Sequence, residues 1–197
     1  AAIGTMAVIL LARNWLIERR LNELRGRPKV LIYEMYPAAW PGGLPEMTEH
    51  LERIAKLGVD YVWLAPCYPS GGTDGGYDVT DFVAIDPTYG TIEDFDAFVQ
   101  TANDLGIEVV MDLVLNHTSD KHPWFEKSVK GEEPYADYYL WSEKDLGWGT
   151  MFDGSTAFEW NETRQEYYCH IYHKSQPDLN WDNPDVIDEF QKIIDFW

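Results

Sequence analysis

Cysteine is scarce in this chain of 197 residues: there are two, Cys67 and Cys169. With no C-x-x-C spacing they supply neither a disulfide framework nor a zinc pattern. They are expected as buried thiols in a reducing compartment, which points to the cytoplasm. Long apolar runs are missing too. The most apolar stretch, Met6 to Ala12, is too short to cross a bilayer. No basic segment precedes it and no cleavage-like sequence follows, so neither a secretory leader nor membrane attachment is expected. Positive charge is also sparse, with 15 Lys and Arg against 34 Asp and Glu and a formal net charge of -19. Arg13, Arg19, Arg20, Arg25, Arg27 and Lys29 face only Glu18 and Glu23 in residues 1–29, so the rest of the chain carries -23. A surface that acidic repels phosphate backbones and excludes nucleic acid as a partner, but it accepts a neutral ligand.

Aromatic residues, by contrast, are plentiful: 9 Trp, 12 Tyr and 8 Phe. Core packing accounts for most of them. Some have a sharper use, because flat apolar faces with polar edges suit a sugar cleft.

Residues 6–25 have helix-forming composition and end at Gly26-Arg27-Pro28, so residues 1–29 read as a basic helical arm. From Val30 the rhythm changes. Val30–Tyr36, Tyr61–Ala65 and Ile107–Leu115 read as strands, each almost continuously apolar, which implies cover on both faces. Between them, Leu44–Leu57 and Ile92–Leu105 repeat apolar residues at helical spacing, and Gly58 and Gly106 stand at the capping positions. Strand-helix-strand-helix-strand builds a parallel sheet with right-handed crossovers. This is an α/β fold, either an open doubly wound sheet or a barrel. No G-x-G-x-x-G follows any strand, which disfavours a dinucleotide cofactor. In both architectures the ligand side is the carboxyl end of the strands. Residues 118–184 lose periodicity and read as an inserted small domain. Helical spacing returns over Val186–Trp197.

The stretch M-D-L-V-L-N-H, Met111 to His117, puts an acid inside a buried strand and an Asn-His pair at its carboxyl end. Taken alone, such a pair is more often a loop cap than a ligand contact. Three further segments change that balance: Asp74-Gly-Gly-Tyr77-Asp78-Val-Thr-Asp81, Gln176-Pro-Asp-Leu-Asn-Trp181 and Ile32-Tyr33-Glu34-Met35-Tyr36-Pro37. Together and in this order they resemble the α-amylase superfamily of glycoside hydrolases. The match is to the branch acting on short α-glucosides, such as oligo-1,6-glucosidases, α-glucosidases, sucrose isomerases and trehalose synthases.

The resemblance implies a (β/α)8 TIM-type barrel. Residues 30–117 would hold its first three strands and two helices, residues 118–184 the inserted domain, and residues 185–197 the start of the third helix. It implies an α-linked oligosaccharide or disaccharide as substrate. His117 would donate to a glucose hydroxyl, Asp74 would accept from hydroxyls across the ring, and Tyr77 would pack on the sugar face. Phe152 would add an aromatic wall, with Asp112 and Asn116 as support. Asp178 and Asn180 read as structural, and His122, His170 and His173 as surface or packing residues.

Two departures qualify the resemblance. The acidic calcium loop of many relatives is replaced by Ala38-Ala39-Trp40-Pro41-Gly42-Gly43-Leu44, which offers no carboxylate, so no metal is expected there. Retaining glycosidases also need two carboxylates about 5 Å apart. The resemblance places both beyond Trp197, the nucleophile in a G-F-R-x-D motif. The expectation is therefore an amino-terminal part of an α-glucosidase-type enzyme, inactive alone and completed by the remaining barrel segment. The alternative is a non-catalytic sugar-binding or assembly partner of the same descent.

Overall fold

The computed structural model describes residues 30–197, so the basic arm and its expected helix lie outside the described residues. Residues Ile32–Trp197 form one compact unit. Three short strands, β1 (Ile32–Met35), β2 (Tyr61–Leu64) and β3 (Glu108–Met111), pair in parallel in the order β1-β2-β3. The register sets Met35, Leu64 and Met111 side by side, and likewise Tyr33, Val62 and Val109.

That face meets helices α1 (Gly43–Glu49), α2 (Leu51–Ala55) and α3 (Ile92–Asp104). Met35, Leu44, Met47, Leu51, Val62, Leu64, Phe98 and Ala102 are fully buried there. Complete burial of a side chain such as Phe98 contributes about 2 kcal/mol. Thr91 starts α3 with a capping box, its hydroxyl accepting from Asp94 N while the Asp94 carboxylate accepts from Thr91 N.

Three expectations need correction. Cover on both faces of the sheet is not found among the described residues: Glu34, Trp63 and Val110, aligned in register on the other face, are exposed. All three helices lie on one side, as crossovers of one hand require. The helix expected over 44–57 is broken at His50, which terminates α1 and whose ring packs on Trp40 at 5.0 Å. The third strand ends at Met111 and not at Leu115. The last ladder bond is Asp112 N to Leu64 O, after which β2 gives way to Ala65-Pro66 and offers no further partner. Gly58 and Gly106 do take positive φ after their helices, as anticipated.

The aperiodic region has structure of its own. Helix α4 (Pro123–Val129) is followed by an antiparallel sheet, order β4-β6-β5, of β4 (Trp141–Ser142), β5 (Phe158–Asn161) and β6 (Glu166–Cys169). A second core of Tyr68, Phe82, Phe125, Tyr138, Tyr139, Tyr168, Leu179 and Phe190 joins it to the parallel sheet. Arg164 fastens the interior of this region. Its guanidinium donates to Ser128 O (2.6 Å), Ala136 O (2.7 Å) and Glu166 (2.6 Å), and lies 4.4 Å above the Trp141 ring. Helix α5 (Pro184–Phe196) closes the described chain, capped by Asn183 and buried through Val186, Phe190 and Ile193.

Candidate active site

The loops at the carboxyl ends of β2 and β3 converge with the inserted segment around one cavity of about 390 Å3. Asp74, Tyr77, Asp112, Asn116, His117 and Phe152 all line it. Six residues from three separate stretches of sequence are thus brought together.

Asp78 builds the first wall. It is fully buried, and its carboxylate accepts from Thr73 N (3.0 Å) and Asp74 N (3.3 Å), fixing the turn that presents Asp74. Gly71 runs so close that a Cβ there would strike Ser119 Oγ and Asp78 Oδ2, so the chain needs glycine at this approach. Tyr77 donates its hydroxyl to Asp112 Oδ2 at 3.0 Å. Burial first, then the Asp112 charge, pushes the Tyr77 hydroxyl up to about 12, so it remains a donor at neutral pH. No arginine braces Asp112 among the described residues: Tyr77 takes its side chain, and Tyr68 donates to its backbone carbonyl at 2.9 Å.

The second wall follows β3. His117 is 5% exposed. Its Nε2 lies 3.2 Å from Tyr77 O and its Nδ1 3.3 Å from Asn116 Nδ2. Burial lowers its pKa below the ordinary histidine value, against the opposing pull of Asp74 and Asp78. Asn116 also donates to Asp178 Oδ1 at 2.8 Å. Asp178 is buried and accepts from Ile171 N as well, joining the inserted segment to the loop after β3.

The third wall comes from the inserted segment. Asp153 accepts from Thr150 Oγ1 (2.6 Å) and Ser155 N (2.9 Å), bonds that hold its carboxyl down to about 2. The resulting turn displays Phe152, which is 77% exposed. Sequence reasoning missed two residues. The Tyr172 ring stands 5.2 Å from His117 and 5.9 Å from Phe152, completing an aromatic flank. Gln176 is fully buried, donates through Nε2 to Asp74 Oδ2 at 2.9 Å, and leaves Oε1 without a partner. Gln176 opens the very motif read from the sequence, while Tyr172 gave no periodic signal.

His122 caps α4 by accepting from Trp124 N and is buried, and His173 is exposed beside Ser175. His170 is buried in a neighbouring cavity of about 450 Å3 with neither ring nitrogen paired. Among the described residues no cluster of three or more His, Cys, Asp or Glu could hold a metal ion.

The geometry makes one kind of ligand natural. The cavity offers two carboxyl groups, a histidine, an asparagine and aromatic faces, with no Lys or Arg in its lining. Such a surface accepts hydroxyl hydrogens and stacks on a ring; it repels an anion.

Residues 15–197 match the α-amylase catalytic domain. The chain belongs to the α-amylase family. Its relatives include the trehalose-6-phosphate hydrolase of Escherichia coli K12, 41% identical over a match covering 85% of this chain and 32% of that protein. The oligo-1,6-glucosidase of Heyndrickxia coagulans is 42% identical, with 86% of this chain and 33% of that protein covered. Among solved structures, the trehalulose synthase of Pseudomonas mesoacidophila MX-45 superposes with a TM-score of 0.79 at 34% identity, covering 87% of this chain and 34% of that one. The Bacillus licheniformis trehalose-6-phosphate hydrolase gives 0.79 at 34% identity, with 86% and 33% covered. The chain thus spans about a third of the length of the α-amylase-family relatives it matches, and it corresponds to their amino-terminal, barrel-forming part. Among the described residues no helix is long and apolar enough to cross a membrane.

Proposed function

We propose that this chain provides the glucose-recognising part of a retaining α-glucosidase-type active site acting on short α-linked oligosaccharides or disaccharides. The observation that carries the reading is the convergence of Asp74, Tyr77, Asp112, Asn116, His117 and Phe152 on one cavity. In this reading β1–β3 are the first three strands of an eight-stranded barrel and residues 118–184 are its inserted domain. The remainder of the barrel supplies the nucleophile and the acid/base. Both free cysteines are buried and held up to about 12, which fits the reducing cytoplasm that we include in the proposal.

Each residue then has a role. Asp74 accepts from hydroxyls of the bound glucose while Gln176 holds its second face. His117 presents Nε2–H, shared between Tyr77 O and the sugar. Tyr77, Phe152 and Tyr172 enclose the ring and exclude water. The carboxyl groups of Asp74 and Asp112 serve a second purpose. Glycosyl transfer develops positive charge at the sugar, and a cavity with carboxyl groups and no cationic side chain favours that charge over the neutral ground state.

Calorimetric titration of the full-length protein with a non-hydrolysable thio-linked maltose analogue, beside Asp74→Ala and His117→Ala, tests the reading. Each variant is expected to lose tenfold or more in affinity, because a buried sugar hydroxyl left unpaired costs about 1–3 kcal/mol. Unchanged affinity in both variants would remove the cavity from consideration as the sugar site.

A further inference from the structure

Asn116 Nδ2 is shared between two acceptors, Asp178 Oδ1 at 2.8 Å and His117 Nδ1 at 3.3 Å. An amide nitrogen only donates, so Nδ1 of His117 must present its lone pair. On the opposite side of the ring, Nε2 faces the Tyr77 carbonyl at 3.2 Å, and a carbonyl only accepts, so Nε2 carries the hydrogen. Both ends of the ring demand the same neutral form. Asp178 fixes which way the Asn116 amide points. Without its carboxylate, the amide is free to turn and offer Oδ1 to the imidazole. Asp178 is itself held by Ile171 N and lies within 3.6 Å of Cys169 Sγ, so its position is set by the inserted segment. An isolated antiparallel bridge between His117 and Asp178 aligns the two backbones.

We infer that Asp178 is a positioning residue: through Asn116 it locks His117 as neutral imidazole with its hydrogen on Nε2, toward the Tyr77 carbonyl in the wall of the sugar cavity. The inference rests on the sugar-site reading for its purpose, although not for its geometry. It gives the inserted segment a role in the chemistry of the site beyond enclosing it. A cationic His117 would place a hydrogen on Nδ1 against the Asn116 amide hydrogens, and the lock disfavours that state. The charged groups facing the ring, Asp74 and Asp78, pull the other way, toward imidazolium. The Asn116–Asp178 relay opposes them, together with burial.

The test is 15N NMR of the histidine-labelled full-length protein, with His117 assigned by its loss in His117→Gln. Wild type is expected to give a pyridine-type Nδ1 and a pyrrole-type Nε2, and to resist protonation. Asp178→Ala is expected to raise the protonation midpoint of His117 by one pH unit or more. Asp178→Asn retains an acceptor oxygen for Asn116 and is expected to restore wild-type behaviour. A hydrogen on Nδ1 in wild type overturns the inference, and so does an unchanged midpoint in folded Asp178→Ala. If that variant does not fold, Asn116→Ala decides, because it exposes Nδ1 directly and its midpoint must rise. Titration of the same wild-type sample with the thio-linked maltose analogue separates the two readings. The expected ring signature without sugar binding would discard the sugar site and leave the relay standing.

Discussion

The side-chain nitrogen of Gln176 stands 2.9 Å from a carboxylate oxygen of Asp74, 102 positions earlier in the chain. The bond ties the loop after β2 to the inserted segment beside the candidate cavity. Replacing Gln176 with Glu sets two carboxylates at that distance, where like charges repel. We expect Gln176→Glu to weaken binding of the thio-linked maltose analogue by tenfold or more at pH 7 and to recover part of the loss at pH 5. Titration at the two pH values checks this, and equal losses at both would show that charge is not the cause.

Asp78 never reaches the cavity, yet it shapes Asp74. Asp78→Ala removes two backbone hydrogen bonds and leaves Thr73 N and Asp74 N to find other partners. The expected outcome is a loss of about 1–3 kcal/mol in stability together with weakened sugar binding. Urea unfolding and calorimetry on the same sample measure both. A stable variant that has lost affinity would identify turn geometry as the larger effect.

Arg164 is the test of the inserted segment. Its guanidinium serves two carbonyls, a carboxylate and an aromatic face, with 15% of the side chain exposed. Arg164→Ala is expected to destabilise by about 3 kcal/mol, since buried carbonyls and a carboxylate lose their donor. Arg164→Lys is not expected to rescue, because an ammonium cannot reproduce the planar fork. Protease sensitivity localised to residues 130–170 would be the accompanying sign.

Acid should unfold the protein through its histidines. Burial lowers the folded-state pKa of His117 and His170, and brings His122 to about 3, below the ordinary 6.5. Between the folded and unfolded values the unfolded chain binds more protons. Stability contributed by these groups is therefore complete above pH 6.5 and falls as pH drops below it, by up to about 1.4 kcal/mol per pH unit for each histidine. Asp120 and Asp178, whose pKa values are raised by burial, act in the opposite sense above pH 3.8 and soften the slope. His122→Asn keeps an acceptor for Trp124 N but loses the titration, and is expected to flatten the dependence between pH 6 and pH 4. An unchanged slope in His122→Asn would assign the acid sensitivity to other groups.

Much of this was legible in the sequence. Apolar runs and Gly caps gave the alternation of β1–β3 with helices, because each run had to lie in a sheet. The motif residues Asp74, Tyr77 and His117 also stood out before any geometry was known. What stayed hidden was set by tertiary contact. The break at His50 accompanies its packing on Trp40, and the end of β3 coincides with the point where β2 turns away. Tyr172 became visible only once β6 and the turn at Asp153 had placed it against His117 and Phe152. The small antiparallel sheet escaped notice because its strands, Trp141–Ser142, Phe158–Asn161 and Glu166–Cys169, mix polar and aromatic residues and lack the longer apolar runs that marked β1–β3.

Asp74, Phe152 and Tyr172 line both the candidate cavity and its neighbour around His170. The two spaces share these three side chains, so a substitution at any one of them reshapes both. Substitutions at these three positions should be strongly epistatic, with each one altering the effect of the next. In descent, a lineage that enlarges one space inherits a different starting point in the other. New ligand preferences in this part of the fold would then arise in linked steps.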